Sequence, residues 1–321
     1  MAQLTATSEF AAEPRVGRGF WSDAAHRIGR DRLAMACLAV IVVYAVMAVA
    51  APWMFSTWKD SYNYDNVNSA PSWRYWLGTD VFGRSILQKT LLAASTSMTV
   101  GFMANIIAVP LGMVLGAVAG FYGRRIDDLI VWLYTTLASI PGIIRLIALK
   151  VAFAGIVLFE GVNLLENTPL EFSLEIDLGG IVGLYIALGV MSWVGTCRLV
   201  RAETMKLRES DYALAARAVG RGDLAILFRH IVPNLLHLGI IQFSLGFVGA
   251  IQSEVILSYL GIGVQDRPSW GKMIDAARMD LVVGRWWEIT AAVGAMFLIV
   301  LAWNIFGDRL RDALDPRLKN V

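Results

Sequence analysis

Six stretches of twenty or more mostly apolar residues run through this chain, near 33 to 55, 91 to 119, 129 to 154, 180 to 200, 235 to 260 and 287 to 306. At about 1.5 Å per residue each is long enough to cross roughly 30 Å of hydrocarbon as a helix. That constraint outweighs every other in the sequence. It predicts an all-α membrane protein with six transmembrane helices. Composition agrees: 57% of residues are hydrophobic and 17% charged, where a soluble domain has roughly 45–50% and about 25%. The first stretch follows some thirty more polar residues. It is longer than a signal peptide's apolar core and has no small-residue cleavage pattern after it, so it reads as a retained anchor.

Lys and Arg set the orientation. Alternating the six spans puts eighteen bases on the side of the N-terminus and eight on the other. The first group includes Arg27, Arg30, Arg32, Arg124, Arg125 and seven bases between 198 and 229, and it ends with Arg309, Arg311, Arg317 and Lys319. The segment from Glu160 to Asp177 carries five acids and no base. The positive-inside bias then predicts both termini in the cytoplasm. Trp53, Trp58, Trp73 and Trp76 on one outer loop, with Trp270, Trp286 and Trp287 on another, suit an interfacial aromatic belt. A net charge of +2, with no basic run interleaved with aromatics, argues against nucleic acid. Cys37 and Cys197 fall inside apolar segments and form no metal-ligand spacing.

The polar interval between the fourth and fifth spans, residues 206–234, reads as a helical hairpin. Ser210 or Asp211 can cap a short helix carrying Tyr212, Ala215, Ala216 and Val219 on one face and stopped by Gly220. Asp223 can cap a second helix, in which Leu224, Leu227, Phe228 and Ile231 recur at i, i+3, i+4 and i+7, and Pro233 marks the junction with the next span. Small Ala and Gly side chains beside an apolar stripe suit a helix that docks in another protein's groove. A hairpin that merely caps the bundle is the plainer alternative.

Five stretches, in order, carry a resemblance: "WLGTDVFGRS", "GAVAGFYGRRID", "LAARAVG" through "FRHIVPN", "LSYLGIGVQDRPSWGKMI" and "FGDRLRDALDP". Together they make the chain similar to the membrane permease subunit of binding-protein-dependent ABC importers, in the dipeptide, oligopeptide and nickel group. The resemblance implies a type I importer transmembrane domain over residues 33–306, between cytoplasmic tails 1–32 and 307–321, with the hairpin as coupling helix. It implies a bacterial or archaeal cytoplasmic membrane. The implied partners are a second homologous permease, two ATP-binding subunits and an extracytoplasmic substrate-binding protein. No cofactor is implied on this chain, and ATP with Mg belongs to the partner ATPase. The family's Glu-Ala-Ala followed by Gly maps onto Leu214, Ala215, Ala216 and Gly220, so Leu214 stands where an acid is usual. The sequence has no GxxxxGK[ST] loop, consistent with a chain that is not itself an enzyme.

Other residues ask for specific roles. Gly112, Gly116 and Gly120 form two overlapping GxxxG patterns, a face where another helix backbone can approach. Ionisable residues within spans are costly and need a reason. Arg145 is a candidate to line the translocation path, against pairing with Glu254 or snorkelling; Lys150 lies about 140° further round the helix. Glu254, near the outer end of the fifth span, is a candidate for gating. Thr79 or Asp80 can cap a helix entering the second span, and the alternating "LEFSLEIDLGG" can form a strand or hairpin edge. An ATP-independent secondary transporter or channel remains the rival. It would predict inverted repeats, and none is evident. HExxH, GxSxG and clustered His are lacking.

Overall fold

The computed structural model describes residues 20–163 and 173–314. The outermost parts of both predicted tails, with Arg317 and Lys319, and residues 164–172 of the acidic outer segment lie outside that range. In chain order the helices are α1 (Phe20–Arg30), α2 (Arg32–Met54), α3 (Ile86–Tyr122), α4 (Arg124–Ser139) and α5 (Gly142–Ala152). After strands β1 (Val157–Asn163) and β2 (Ser173–Asp177) come α6 (Ile181–Leu207), α7 (Asp211–Ala218), α8 (Asp223–Ile226), α9 (Val232–Tyr259), α10 (Trp270–Val282) and α11 (Trp287–Leu314). Five helical stretches are long and apolar enough to cross a membrane, and α4 with α5 make a sixth when counted as one broken span.

Chain chemistry explains most boundaries. Asp31 starts α2 by accepting hydrogen bonds from the backbone N–H groups of Leu33 at 2.9 Å and Ala34 at 3.2 Å. The predicted third span is not one straight helix: its two halves meet at 95°. Pro141 is the cause. It disfavours the helical conformation for the residue before it, and Ile140 is extended, with φ −91° and ψ 130°. The second span begins at Ile86 and runs 37 residues, about 56 Å at 1.5 Å per residue, well beyond the apolar core of a bilayer. Thr79 and Asp80 do not cap it. The cap position is Ser85, and residues 79–85 form a compact turn instead.

α3 is the central post, and α6 lies closest to it. Cβ atoms built on Gly112, Gly116 and Gly120 would sit 2.6 Å from Thr196 Cβ, Cys197 O and Arg201 O respectively. All three glycines therefore face the α6 backbone, and any side chain there would force the helices apart. The C-terminal end of the pair is tied by Arg201, whose guanidinium grips Asp127 at the start of α4 through two bonds of 2.5 and 2.6 Å. α2, α9, α10 and α11 pack around the N-terminal half of α3 through a core holding Ile86, Ala93, Trp270 and Phe247, the last stacked on Trp303 at 4.0 Å.

The two ends of the bundle are distinct. One end holds the hairpin of α7 and α8 with the start of α2 and the end of α11, where Arg309 meets Asp31 at 3.5 Å. The other holds the turn at 79–85 and α10. There β1 pairs antiparallel with β2, Val157 opposite Asp177 and Asn163 opposite Ser173. The expected aromatic belt is partial. Trp53, Trp73, Trp76 and Trp286 are exposed, whereas Trp58 and Trp270 are buried, and Trp58 Nε1 donates to Ser85 O at 3.2 Å. Cys37 and Cys197 are free thiols in the packed interior.

Candidate functional site

The hairpin is built by local rules and then fastened to the spans. α7 ends in a Schellman motif: Gly220 N–H bonds Arg217 O at 2.9 Å, Arg221 N–H bonds Ala216 O at 3.1 Å, and Gly220 takes φ +80°. Ser210 occupies the N-cap position of α7, but its hydroxyl turns back to Leu207 O. α8 is capped by Gly222, so Asp223 is its first helical residue. Leu227–Ile231 then form a π turn that feeds directly into α9, with Pro233 in its first turn.

That turn splits the apolar stripe expected from sequence. Leu227 and Ile231 are fully buried, with Ala213 and Ile226, against Ala117 and Phe121 of α3 and Val200 of α6. Leu224 and Phe228 point away and are exposed. In α7 the buried residue is Ala213. Tyr212, Leu214 and Ala215 are exposed, Ala216 is half-buried, and Val219 is 83% exposed. Arg217 lies over the Phe121 ring at 5.3 Å, and Arg208 donates to Gly120 O at 3.2 Å. The result is a rigid helical knuckle, anchored on one side and presenting Tyr212, Leu214, Val219, Leu224 and Phe228 on the other. Such a patch of exposed large apolar groups marks a surface for another macromolecule.

The two bases within the broken span bond backbone carbonyls, and Arg145 Nε is left buried without a partner among the described residues. The Arg145 guanidinium donates to Leu137 O across the α4–α5 bend and to Met191 O of α6 at 3.3 Å. Lys150 Nζ donates to Gly179 O, to Gly180 O at 2.7 Å and to Leu178 O at 3.4 Å. Both bases therefore pin the broken third span to carbonyls in or just before α6. Glu254 is fully buried and accepts from Ser97 Oγ and Ser258 Oγ, both at 2.7 Å. It stitches α9 to α3 rather than meeting Arg145.

A second feature escaped the sequence reading. Leu245, Gly249, Gln252, Ile256 and Tyr259 are all exposed. Their spacing of 4, 3, 4 and 3 residues puts them on one face of α9. The Gly and Gln within an apolar helix were the available signal.

At the opposite end Asp80 organises the turn. It is buried, and its carboxylate accepts from the backbone N–H groups of Phe82 and Arg84, from the Arg84 guanidinium at 2.9 Å, and from Lys89 at 3.5 Å. Burial pushes its pKa up, but the Lys89 charge and the Arg84 and Phe82 hydrogen bonds outweigh that and hold it below the ordinary aspartate value. Lys89 continues to Glu288 of α11 at 2.6 Å. Among the described residues there is no cluster of metal-ligating side chains.

A multi-helical membrane bundle with a helical knuckle between its fourth and fifth spans is the architecture of a transport permease. Residues 112–320 match the family described as binding-protein-dependent transport system inner membrane component, and residues 19–71 match the N-terminal transmembrane domain of oligopeptide transport permease C. The chain belongs to this family of ABC importer permeases, multi-pass components of the inner membrane. It is 35% identical over 301 residues to a dipeptide transport system permease protein of Alkalihalophilus pseudofirmus, covering 94% of this chain and 91% of the relative. It is 34% identical to a glutathione transport system permease protein of Escherichia coli, covering 93% and 91%. To a dipeptide transport system permease protein of Bacillus subtilis it is 31% identical, covering 95% and 88%.

Proposed function

We propose that this chain forms half of the translocation path of an ATP-driven importer of short peptides, and that the α7–α8 knuckle couples it to a separate ATPase. The observation that carries the coupling role is the pairing of a fully buried Ala213, Ile226, Leu227 and Ile231 with an exposed Tyr212, Leu214, Val219, Leu224 and Phe228 on one short element. An element that only capped the bundle would gain nothing from five large apolar groups in water. The π turn joins the knuckle to α9 without a flexible linker, so a push on α7 moves the helix whose outer half carries the exposed face from Leu245 to Tyr259. We assign that face to the path, shared with a second, homologous permease. The peptide cargo rests on the dipeptide and glutathione systems to which the relatives belong.

In this reading two ATP-binding subunits hold ATP and Mg, and their closure draws the knuckles of the two permeases together and opens the path outward. A substrate-binding protein then delivers the cargo. ATP binding favours one packing of the bundle, release of phosphate the other. Both termini and the knuckle lie in the cytoplasm, following the bias of Lys and Arg. Arg145 and Lys150 act as staples of the broken span, and Glu254 as a buried tie between α3 and α9.

The test is purification of the tagged chain from its native membrane in mild detergent, alongside Leu214→Asp and Phe228→Asp. Recovery of a second permease and a Walker-motif ATPase, with the ATPase lost from both variants while the permease pair persists, is the expected result. A chain that purifies without an ATPase and still transports would sink the coupling role and make it a secondary carrier.

A further inference from the structure

The outer end of the bundle contains a recess of about 410 Å³ between the turn after α2, the start of α3 and the loop entering α10. Two ammonium groups more than two hundred residues apart in sequence meet there. Lys59 Nζ donates to Asp266 O, and Lys272 Nζ donates to Gln265 O at 2.6 Å, so adjacent carbonyls of a single loop hold both. Among the described residues neither lysine has a carboxylate within ion-pairing distance. The other bases on the recess walls are matched: Arg84 and Lys89 by Asp80 and Glu288, and Arg267 by Asp266 at 3.2 Å. Asp60 also lines the recess, outside ion-pairing distance of any base among the described residues.

Two ammonium groups have been brought together here with neither in an ion pair, although the acids Asp60 and Asp266 share the lining. Burial lowers the Lys272 pKa, Asp266 pulls it back, and the charges of Lys89 and Lys59 lower it again, leaving it below the ordinary lysine value. Each ammonium has three donors, and only one on each is engaged, so the free N–H groups are available to an incoming acceptor. Trp58 and Tyr62 wall the recess, and the Arg84 guanidinium lies over the Trp58 ring at 4.1 Å.

We propose that this recess is a carboxylate-binding site whose ligand is an acidic side chain on the docking face of the substrate-binding protein. The inference rests on the importer reading. The recess is built from loops and the first turns of α3 and α10, and it includes none of the α9 face from Leu245 to Tyr259 assigned to the path. A carboxylate held there belongs to a partner seated on the outer surface rather than to cargo in transit. The site also sits directly over the Asp80–Lys89–Glu288 network, which joins α3 to α11. Docking therefore acts on the helices whose arrangement must change when the path opens.

The experiment uses the complete reconstituted transporter, with its own ATPases and binding protein, and a Lys59→Gln/Lys272→Gln variant. ATP hydrolysis is titrated with binding protein. The half-stimulating concentration is expected to rise about tenfold in the double variant, with basal hydrolysis unchanged and Lys59→Arg/Lys272→Arg close to wild type. Raising salt from about 0.1 M to about 1 M shortens the screening length from about 10 Å to about 3 Å; this should weaken stimulation of the wild type more than that of the double variant. An unchanged titration curve in a variant of unchanged thermal stability would overturn the proposal. So would an unchanged titration accompanied by weaker uptake of free-acid peptides but not of C-terminally amidated ones, since the carboxylate would then be the cargo's. A wild-type complex that no binding protein stimulates would bring down the importer reading, and this inference with it.

Discussion

At the knuckle end of the bundle the side chains left exposed include large apolar ones, Tyr212, Leu214, Val219, Leu224 and Phe228, whereas at the opposite end the side chains taken out of water include charges, Asp80, Lys89 and Glu288. The outer arrangement satisfies itself. Asp80 accepts from two backbone N–H groups and two basic side chains, and Lys89 bridges it to Glu288. The inner arrangement is incomplete alone, because its apolar groups gain stability only when another surface covers them. One end is a clasp that holds α3 to α11, and the other presents the face to which we assign the coupling role. The difference teaches that burial and exposure identify a working surface better than residue type does.

The comparison breaks first at Asp80. Replacing it by Ala leaves Arg84 and part of Lys89 without a counterion, and losing one partner of a buried pair costs about 3–5 kcal/mol. Thermal unfolding in detergent should show the largest drop of any substitution proposed here; a fall of only a degree or two would mean that the outer clasp is ornamental. Its pH dependence has a definite sign. The folded-state pKa of Asp80 lies below the ordinary value, so near that value the unfolded chain binds more protons. The stabilisation is fully present above about pH 5 to 6 and is lost as pH falls through the ordinary aspartate value of about 3.9 toward the lower folded one. Asp80→Asn should flatten that acid limb.

A smaller effect separates the two sides of the knuckle. Ala213→Leu overfills a fully buried position and should cost about 1–3 kcal/mol, whereas Leu214→Ser, one residue on, should change stability by less than about 0.5 kcal/mol. Recovery of the ATPase should fall for both, for different reasons. Equal stability losses would erase the distinction between an anchored and a presented face. Between the losses at Ala213 and Leu214 falls that at Gly220, held at φ +80° with nothing crowding its Cβ position. Gly220→Ala should cost on the order of 1 kcal/mol, seen as a small shift in the unfolding midpoint, with partner binding retained.

Much of this architecture was legible in the sequence, because a bilayer demands long apolar helices and leaves little choice of element. The positions of the five long apolar helices, the hairpin between α6 and α9, and the αL stop at Gly220 follow from local pattern. The 95° break in the third span lies at Pro141, a residue able to kink a span, but apolar composition runs unbroken across it and gives no angle. Asp80 was read as a helix cap because an acid before an apolar run is the usual cap signal. Its carboxylate is instead claimed by Arg84 and Lys89, whose proximity depends on the turn at 79–85. Arg145 was a candidate for the path, with pairing to Glu254 as the alternative, because sequence spacing cannot show a backbone carbonyl on a neighbouring helix.

Hydropathy and motif order by themselves determined that this chain is a multi-span permease with a helical knuckle, since those properties depend on residues near one another or on totals along the chain. Which knuckle residues face outward, which glycines touch α6, and where Lys59 meets Lys272 were decided only by tertiary packing. A helix pattern gives period but not partner: the π turn at Leu227–Ile231 redistributes one apolar stripe between two faces. Contacts between residues two hundred positions apart come from the arrangement of the whole bundle.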